Sequence, residues 1–168
     1  MGNEGAALFD AYIKQHGQRL FGLCNKLCGN REDAEDLYQE TWIKAYKSLE
    51  KYDESKEFAG WLTAICVNAY RDMLRRQKWK AFFIRFTTNE EADLALANLA
   101  AAEPPDHSDV REAVNELPDK LRIVTTLYYF NGLDTNKTAQ ILKLPLGTVK
   151  YRLHQAREML KRRLKQDG

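Results

Sequence analysis

Proline and glycine are scarce in this 168-residue chain, at four and nine residues, and the stretches between them are rich in good helix formers. That scarcity argues against a turn-rich β architecture and points to an all-α protein. Three cysteines (Cys24, Cys28, Cys66) are too few for a disulfide framework in a chain of this length. The three histidines (His16, His107, His154) lie in different segments, with no nucleophile–base spacing and no glycine-rich phosphate loop. An enzyme is therefore not expected, nor is a cofactor. No apolar run approaches the ~20 residues that span a bilayer, and the N-terminus lacks a signal-peptide pattern, so a cytoplasmic location is expected. Cys24 and Cys28 are one helical turn apart and could hold zinc with His16, but two cysteines on an apolar helix face are more often core, and no metal is expected.

What is present is charge, unevenly placed. The net charge is only +2, yet residues 68–85 carry a net +5 and residues 143–165 a net +7. Between them, residues 89–116 carry a net −7, and residues 30–57 a net −4. Two basic blocks separated by acidic segments suggest two nucleic-acid contacts and other surfaces left for a different partner. Either basic block alone reads equally well as a solvated helix face.

The apolar spacing predicts three helices in the first half. Residues 8–28 have a broken helical period, and Gly29-Asn30 ends that helix and caps the next, with Asp33 three residues on. Ala34, Leu37, Tyr38, Thr41, Trp42, Ala45, Tyr46 and Leu49 then form one buried stripe. A polar stretch, residues 52–57, precedes a third helix starting near Phe58, burying Phe58, Trp61, Leu62, Ile65, Ala69 and Met73, and ending at Lys80. Residues 87–109 read as a flexible linker, acidic, alanine-rich and ending near Pro104-Pro105. The fold class is thus all-α, with an N-terminal helical bundle over residues 1–86 and a second small domain over 110–168.

That second domain reads as four helices: residues 110–117, one opening at Pro118 and ending at Gly132, residues 135–142, and residues 146–165. Two helices joined by the tight turn Lys143-Leu144-Pro145, the second of them basic, fit a helix-turn-helix. In its second helix Val149, Leu153, Ala156 and Leu160 face the core. Tyr151, His154, Gln155 and Glu158 face outward, flanked by Lys150, Arg152 and Arg157. Flanking cations suit phosphates, and an outward polar face suits base edges in the major groove. Thr148, near the helix N-terminus, sits where backbone amides favour phosphate.

At this point a family resemblance appears. Gly147-Thr148-Val149-Lys150-Tyr151-Arg152-Leu153 with Ala156-Arg157 resembles the signature that closes the last domain of extracytoplasmic-function sigma factors, the dissociable promoter-recognition subunits of bacterial RNA polymerase. Leu117-Pro118, Arg122, Leu127-Tyr128-Tyr129-Phe130 and Gly132-Leu133 resemble the helix before it. Asp33-Ala34-Glu35-Asp36-Leu37-Tyr38-Gln39-Glu40-Thr41-Trp42, and then Phe58, Trp61-Leu62, Ile65, Asn68, Arg71-Asp72 and Arg75-Arg76, are similar to two motifs of the family's first domain. The resemblance implies that Asp33, Asp36, Gln39 and Glu40 bind the clamp coiled coil of the polymerase's largest subunit, with the flap as a further contact. It implies that Asn68, Asp72, Arg75 and Arg76 touch the minus-ten promoter element, with Tyr52, Phe58 and Asn68 around a base flipped from the opened strand. It implies that Thr148, Lys150, Tyr151, Arg152, His154, Gln155 and Arg157 read the minus-thirty-five element. An anti-sigma factor, often membrane-anchored, is implied as a partner. The chain departs from the pattern at Lys143 (usually glycine), Thr138 (usually isoleucine), Tyr151 and Gln155. The rival reading is a stand-alone helix-turn-helix regulator of duplex operators, which leaves the acidic helix, the first basic block and the linker without a role.

Overall fold

The structure, a computed structural model, describes residues 3–87 and 109–166. Seven α-helices account for most of these residues, with no strand among them. Helix α1 (Asn3–Cys28) packs on α2 (Arg31–Ser48), and both pack on α3 (Phe58–Thr87). Asn30 caps α2 as its sequence position predicts. Its backbone is extended (φ −137°), its side-chain oxygen accepts from the Asp33 N–H at 2.9 Å, and its amide donates back to the Asp33 carboxylate at 2.9 Å. Gly29 before it has a φ of 73°, and a Cβ there would come within 3.1 Å of the Asn115 side chain.

The core of this half is built from Leu20, Leu23, Cys24 and Leu27 of α1, Ala34, Leu37 and Trp42 of α2, and Leu62, Cys66, Val67 and Tyr70 of α3. The Cys24 and Cys66 sulfurs meet at 3.8 Å, and that contact together with burial pushes the Cys24 thiol well above its ordinary range. Cys24 is therefore a packing residue. Among the described residues no group of His, Cys, Asp or Glu is arranged to hold a metal. His16 instead lies beside the Phe58 ring, with centroids 5.0 Å apart.

Three sequence expectations need correction. Tyr46 is 43% exposed rather than part of the buried stripe, because its ring lies edge-on against Phe9 at the margin of the bundle. The α1 helix starts at Asn3, and α3 continues past Lys80 to Thr87. No breaker stands between those two residues, since Ala81, Phe82, Phe83, Ile84, Arg85 and Phe86 all sustain a helix. The residues expected to form the linker lie almost wholly outside the described ones, and Asp109 already begins the next helix.

The second half comprises α4 (Asp109–Asn115), α5 (Asp119–Thr125), a π-helical turn (Thr126–Phe130), α6 (Thr135–Leu142) and α7 (Leu146–Gln166). Pro118 caps α5 rather than opening its first turn, and its carbonyl accepts from the Leu121 and Arg122 amides at 2.9 Å. Asp134 caps α6 through the Lys137 N–H at 2.8 Å. Lys143 ends α6 in the left-handed region, with φ 52° and ψ 47°, and its amide and that of Leu144 return to the Gln140 and Ala139 carbonyls. The turn is thus the one that glycine would fill without strain.

Thr138 and Thr126 are fully buried, and neither hydroxyl has a hydrogen-bond partner among the described residues. A buried, unsatisfied hydroxyl costs about 1–3 kcal/mol of desolvation. Thr138→Val should therefore stabilise the protein, raising its Tm by a few degrees at this chain length. Thermal unfolding followed by circular dichroism checks this, and an unchanged or lower Tm would contradict it.

Candidate polymerase and nucleic-acid interfaces

On α2, the residues between Asn30 and Lys44 divide sharply. Ala34, Leu37 and Thr41 are buried, whereas Asp36 and Gln39 project into solvent beside Ile43, which is 55% exposed. Asp33 and Glu40 are half-buried and engaged within the protein. The Asp33 carboxylate accepts from Asn30 at 2.9 Å and from Gln77 of α3 at 3.1 Å. Glu40 pairs with Arg76 at 2.7 Å and with Lys44 at 3.2 Å. Burial opposes ionisation of Glu40, but the hydrogen bonds from Arg76 and Lys44 outweigh it and hold the carboxyl below its ordinary value. Lys44 also bonds Asp72 at 2.9 Å, and that bond leads the rise in the Lys44 pKa and the fall in that of Asp72. Asp72 pairs further with Arg75. Acids expected to meet polymerase and bases expected to meet DNA thus share one ion network across α2 and α3. Lys44, which joins them, went unremarked in the sequence, because a contact 28 residues away leaves no local signature.

Residues 52–57 form a loop held by its own bonds. Asp53 accepts from the Ser55 amide at 3.0 Å and its hydroxyl at 2.7 Å, which lowers the Asp53 pKa, and the Tyr52 hydroxyl donates to the Lys56 carbonyl. Phe58 does not stand open as a wall for a base. It is 6% exposed and lies face to face with Tyr12, ring centroids 3.9 Å apart, because the start of α3 must close the bundle over α1. Tyr52 is half-buried, against Trp61 at 4.8 Å and Phe58 at 5.4 Å. Trp61 is itself half-buried against the core. Further along α3, Asn68, Arg75 and Arg76 are exposed.

On α7, Val149, Leu153 and Ala156 are buried and Leu160 packs beside them, as the spacing predicts. Lys150, Tyr151, His154 and Arg157 are exposed, while Thr148, Arg152 and Gln155 are half-buried. Arg157 donates to the Tyr129 hydroxyl at 2.6 Å. Glu158 accepts from Lys161 at 3.3 Å.

The two halves pack against one another. Ile123, Val124, Leu127 and Leu142 join the same core cluster as Leu27 and Tyr70. Arg122 is the chief polar bridge. It donates to the Tyr70 hydroxyl at 2.6 Å, the Asn115 carbonyl at 2.7 Å and the Asp119 carboxylate at 2.7 Å. Burial pushes the Tyr70 phenol up to about 12, so it meets Arg122 as a neutral acceptor at neutral pH. Lys78 pairs with Asp119 at 3.1 Å, Arg19 donates to the Asn131 carbonyl at 3.2 Å, and Lys26 lies over the Phe130 ring at 4.4 Å. Arg71 of α3 is half-buried, and its pKa is lowered by burial and then by the charges of Arg152 and Arg75.

The family model for sigma-70 region 2 matches residues 12–80, and that for sigma-70 region 4 matches residues 107–160. The chain is 31% identical over 166 residues to the ECF RNA polymerase sigma factor SigW of Bacillus subtilis, covering 94% of this chain and 89% of that protein. The chain belongs to the ECF group of RNA polymerase sigma factors. As a sigma factor it binds core RNA polymerase and directs transcription initiation at promoters. Among solved structures, it is similar to CnrH in complex with the cytosolic domain of CnrY, at TM-score 0.68 and 25% identity over 99% of this chain and 92% of that one. It shares the fold of RpoE from Bartonella quintana, solved with the anti-sigma factor NepR, at TM-score 0.75 and 23% identity over 95% of this chain and 98% of that one. No helix among the described residues of this sigma factor is long and apolar enough to cross a membrane.

Proposed function

We propose that α2 docks on the polymerase clamp through Asp36 and Gln39, with Ile43 beside them, while Asp33 and Glu40 brace that face from within. Residues 1–86 form the domain that meets the minus-ten element, through Asn68, Arg75 and Arg76, with Asp72 orienting the arginines. Tyr52 is the aromatic at its base-flipping loop, and Phe58 supports that loop from the core. Residues 110–168 form the minus-thirty-five domain, with Lys150, Arg152 and Arg157 on phosphates, Thr148 at the helix N-terminus, and Tyr151, His154 and Gln155 toward base edges. The flap is the contact of this second domain on polymerase. The observation that carries the reading is the exposure pattern of α7, where cations and a polar outward face stand opposite the buried Val149, Leu153 and Ala156.

The packed arrangement of the halves belongs to the free protein or to a complex with an anti-sigma factor anchored at the membrane. Support comes from CnrH, whose structure was solved with a partner's cytosolic domain. The protein acts in the cytoplasm and catalyses no reaction of its own. The base-reading role is tested by selecting promoters from a randomised library with the reconstituted holoenzyme. Gln155→Ala should change the preferred base at one upstream position, whereas Lys150→Ala should weaken initiation about equally at all promoters. A uniform loss for Gln155→Ala would make it a positioning contact instead.

A further inference from the structure

The cations of α7 are held in two different ways. Lys161 and Arg163 are tied to carboxylates, those of Glu158 at 3.3 Å and Glu116 at 2.8 Å. Arg157 is tied to an aromatic side chain instead. Its Nε donates to the Tyr129 hydroxyl at 2.6 Å, and its guanidinium carbon lies 5.8 Å from the centre of the Tyr129 ring. Tyr129 is 50% exposed and takes part in none of the contacts assigned above. It stands 28 residues before Arg157, on the π-helical turn Thr126–Phe130.

That turn sets the ring in place. The Asn131 N–H bonds the Thr126 carbonyl, five residues back, at 3.0 Å, so the turn holds one residue more than an ordinary helical turn. Such turns are frequent at functional sites. Tyr128, packed against the core, meets Tyr129 edge to face with ring centroids 4.9 Å apart. Arg157 is thus braced from the core through two rings.

The chemistry of the brace separates it from an ion pair. A carboxylate would offset much of the guanidinium charge, whereas a hydroxyl accepts the bond and brings no charge. Bonding through Nε also leaves the two η nitrogens without a partner among the described residues, and they can fork onto two oxygens of one phosphate. A long arginine at the surface otherwise samples many rotamers, and fixing it before DNA arrives removes that cost from binding. Arg157 shares one exposed face of α7 with Lys150 and His154, at steps of four and three.

We propose that Tyr129 is a positioning residue for the minus-thirty-five contact, holding Arg157 with its charge intact and its η nitrogens open to one backbone phosphate. This rests on the placement of Arg157 on phosphate. Tyr129 sets how tightly the second domain grips the upstream duplex and reads no base.

The test uses holoenzyme reconstituted with the full chain and a labelled duplex promoter taken from the library selection, with affinity measured over a series of salt concentrations. Arg157→Ala should weaken binding about tenfold and lower the salt slope by about one. Tyr129→Phe keeps the ring and removes the hydroxyl. It should weaken binding roughly fivefold, about equally at all promoters, and lower the salt slope by part of that amount, with Tm and core binding unchanged. The variant carrying both changes should bind no more weakly than Arg157→Ala alone. Equal affinity of Tyr129→Phe and the unaltered protein, beside a loss in Arg157→Ala, overturns the proposal, because Arg157 then needs no brace. A further fivefold loss in the double variant also overturns it, since Tyr129 would act apart from Arg157. A weaker Tyr129→Phe complex with an unchanged salt slope and a lower Tm overturns it in favour of a structural role. An unchanged affinity and slope in Arg157→Ala would instead strike at the placement of Arg157 on phosphate, and the proposal would fall with it.

Discussion

Core RNA polymerase should release the Asp36→Arg variant, with affinity reduced at least a hundredfold and the fold unchanged. Asp36 is exposed on the first half of α2 and forms no hydrogen bond or ion pair among the described residues, so reversing its charge breaks nothing inside the protein. At an interface, placing like charges together costs several kcal/mol, and every 1.4 kcal/mol is tenfold in affinity. Stability should change by no more than about 0.5 kcal/mol, as for other exposed positions. Glu40→Arg is a poorer probe of the same face. It would set three cations together at Lys44, Arg76 and position 40, and would break the network that also holds Asp72. Competition for core polymerase against a labelled sigma subunit, with thermal unfolding alongside, checks the prediction. Normal competition by a folded Asp36→Arg variant would show that polymerase docks elsewhere.

The second large effect concerns the packing of the two halves. Sites whose nominal positions differ by about 25 base pairs lie about 85 Å apart along a duplex, at roughly 34–36 Å per helical turn. A compact chain of this length has a radius of gyration of about 15 Å. With Arg122 bonded to Tyr70 and Lys78 paired with Asp119, the halves cannot reach both elements. The charge of Arg152 helps to lower the Arg71 pKa, so the two helices proposed to contact DNA already oppose each other electrostatically in the packed arrangement. Holding the halves together should therefore abolish promoter-specific initiation. Lys78→Cys with Asp119→Cys, in a Cys28→Ala background, joined by a short bis-maleimide, should initiate at least a hundredfold less than the same protein with its thiols singly capped. Cys24 and Cys66 are buried and should not compete for the reagent. Full activity of the joined protein would show that the packed arrangement is compatible with a promoter complex.

Much of this was legible in the sequence because it is local. The Asn30 cap, the Lys143 turn and the buried edge of α7 each follow from residues within one or two helical turns of one another. Lys143, where the family usually has glycine, takes a positive φ, and Thr138, where it usually has isoleucine, holds a buried hydroxyl without a hydrogen-bond partner among the described residues. What the sequence concealed depends on long-range contacts. Tyr38 and Tyr46, about 80° apart around α2, both fit its broad apolar stripe by spacing, and the packing of α1 decides how far each is covered. Phe58 fitted a DNA wall and a core position equally well until Tyr12 was found stacked on it. Arg122 appeared as one letter of a motif, whereas its role is to tie Tyr70, 52 residues away, to the ends of α4 and α5. The π-helical turn at residues 126–130 had no periodic signal, since it alters the register within an otherwise helical run.

The most direct test of the account is initiation by core RNA polymerase, freed of other sigma subunits, with this protein added and a library of bacterial promoters supplied. The account predicts saturable binding to core and initiation at promoters sharing one pair of upstream elements, while the protein alone binds those duplexes poorly. Tight, specific duplex binding by the protein alone, without any initiation when core polymerase is present, would contradict it.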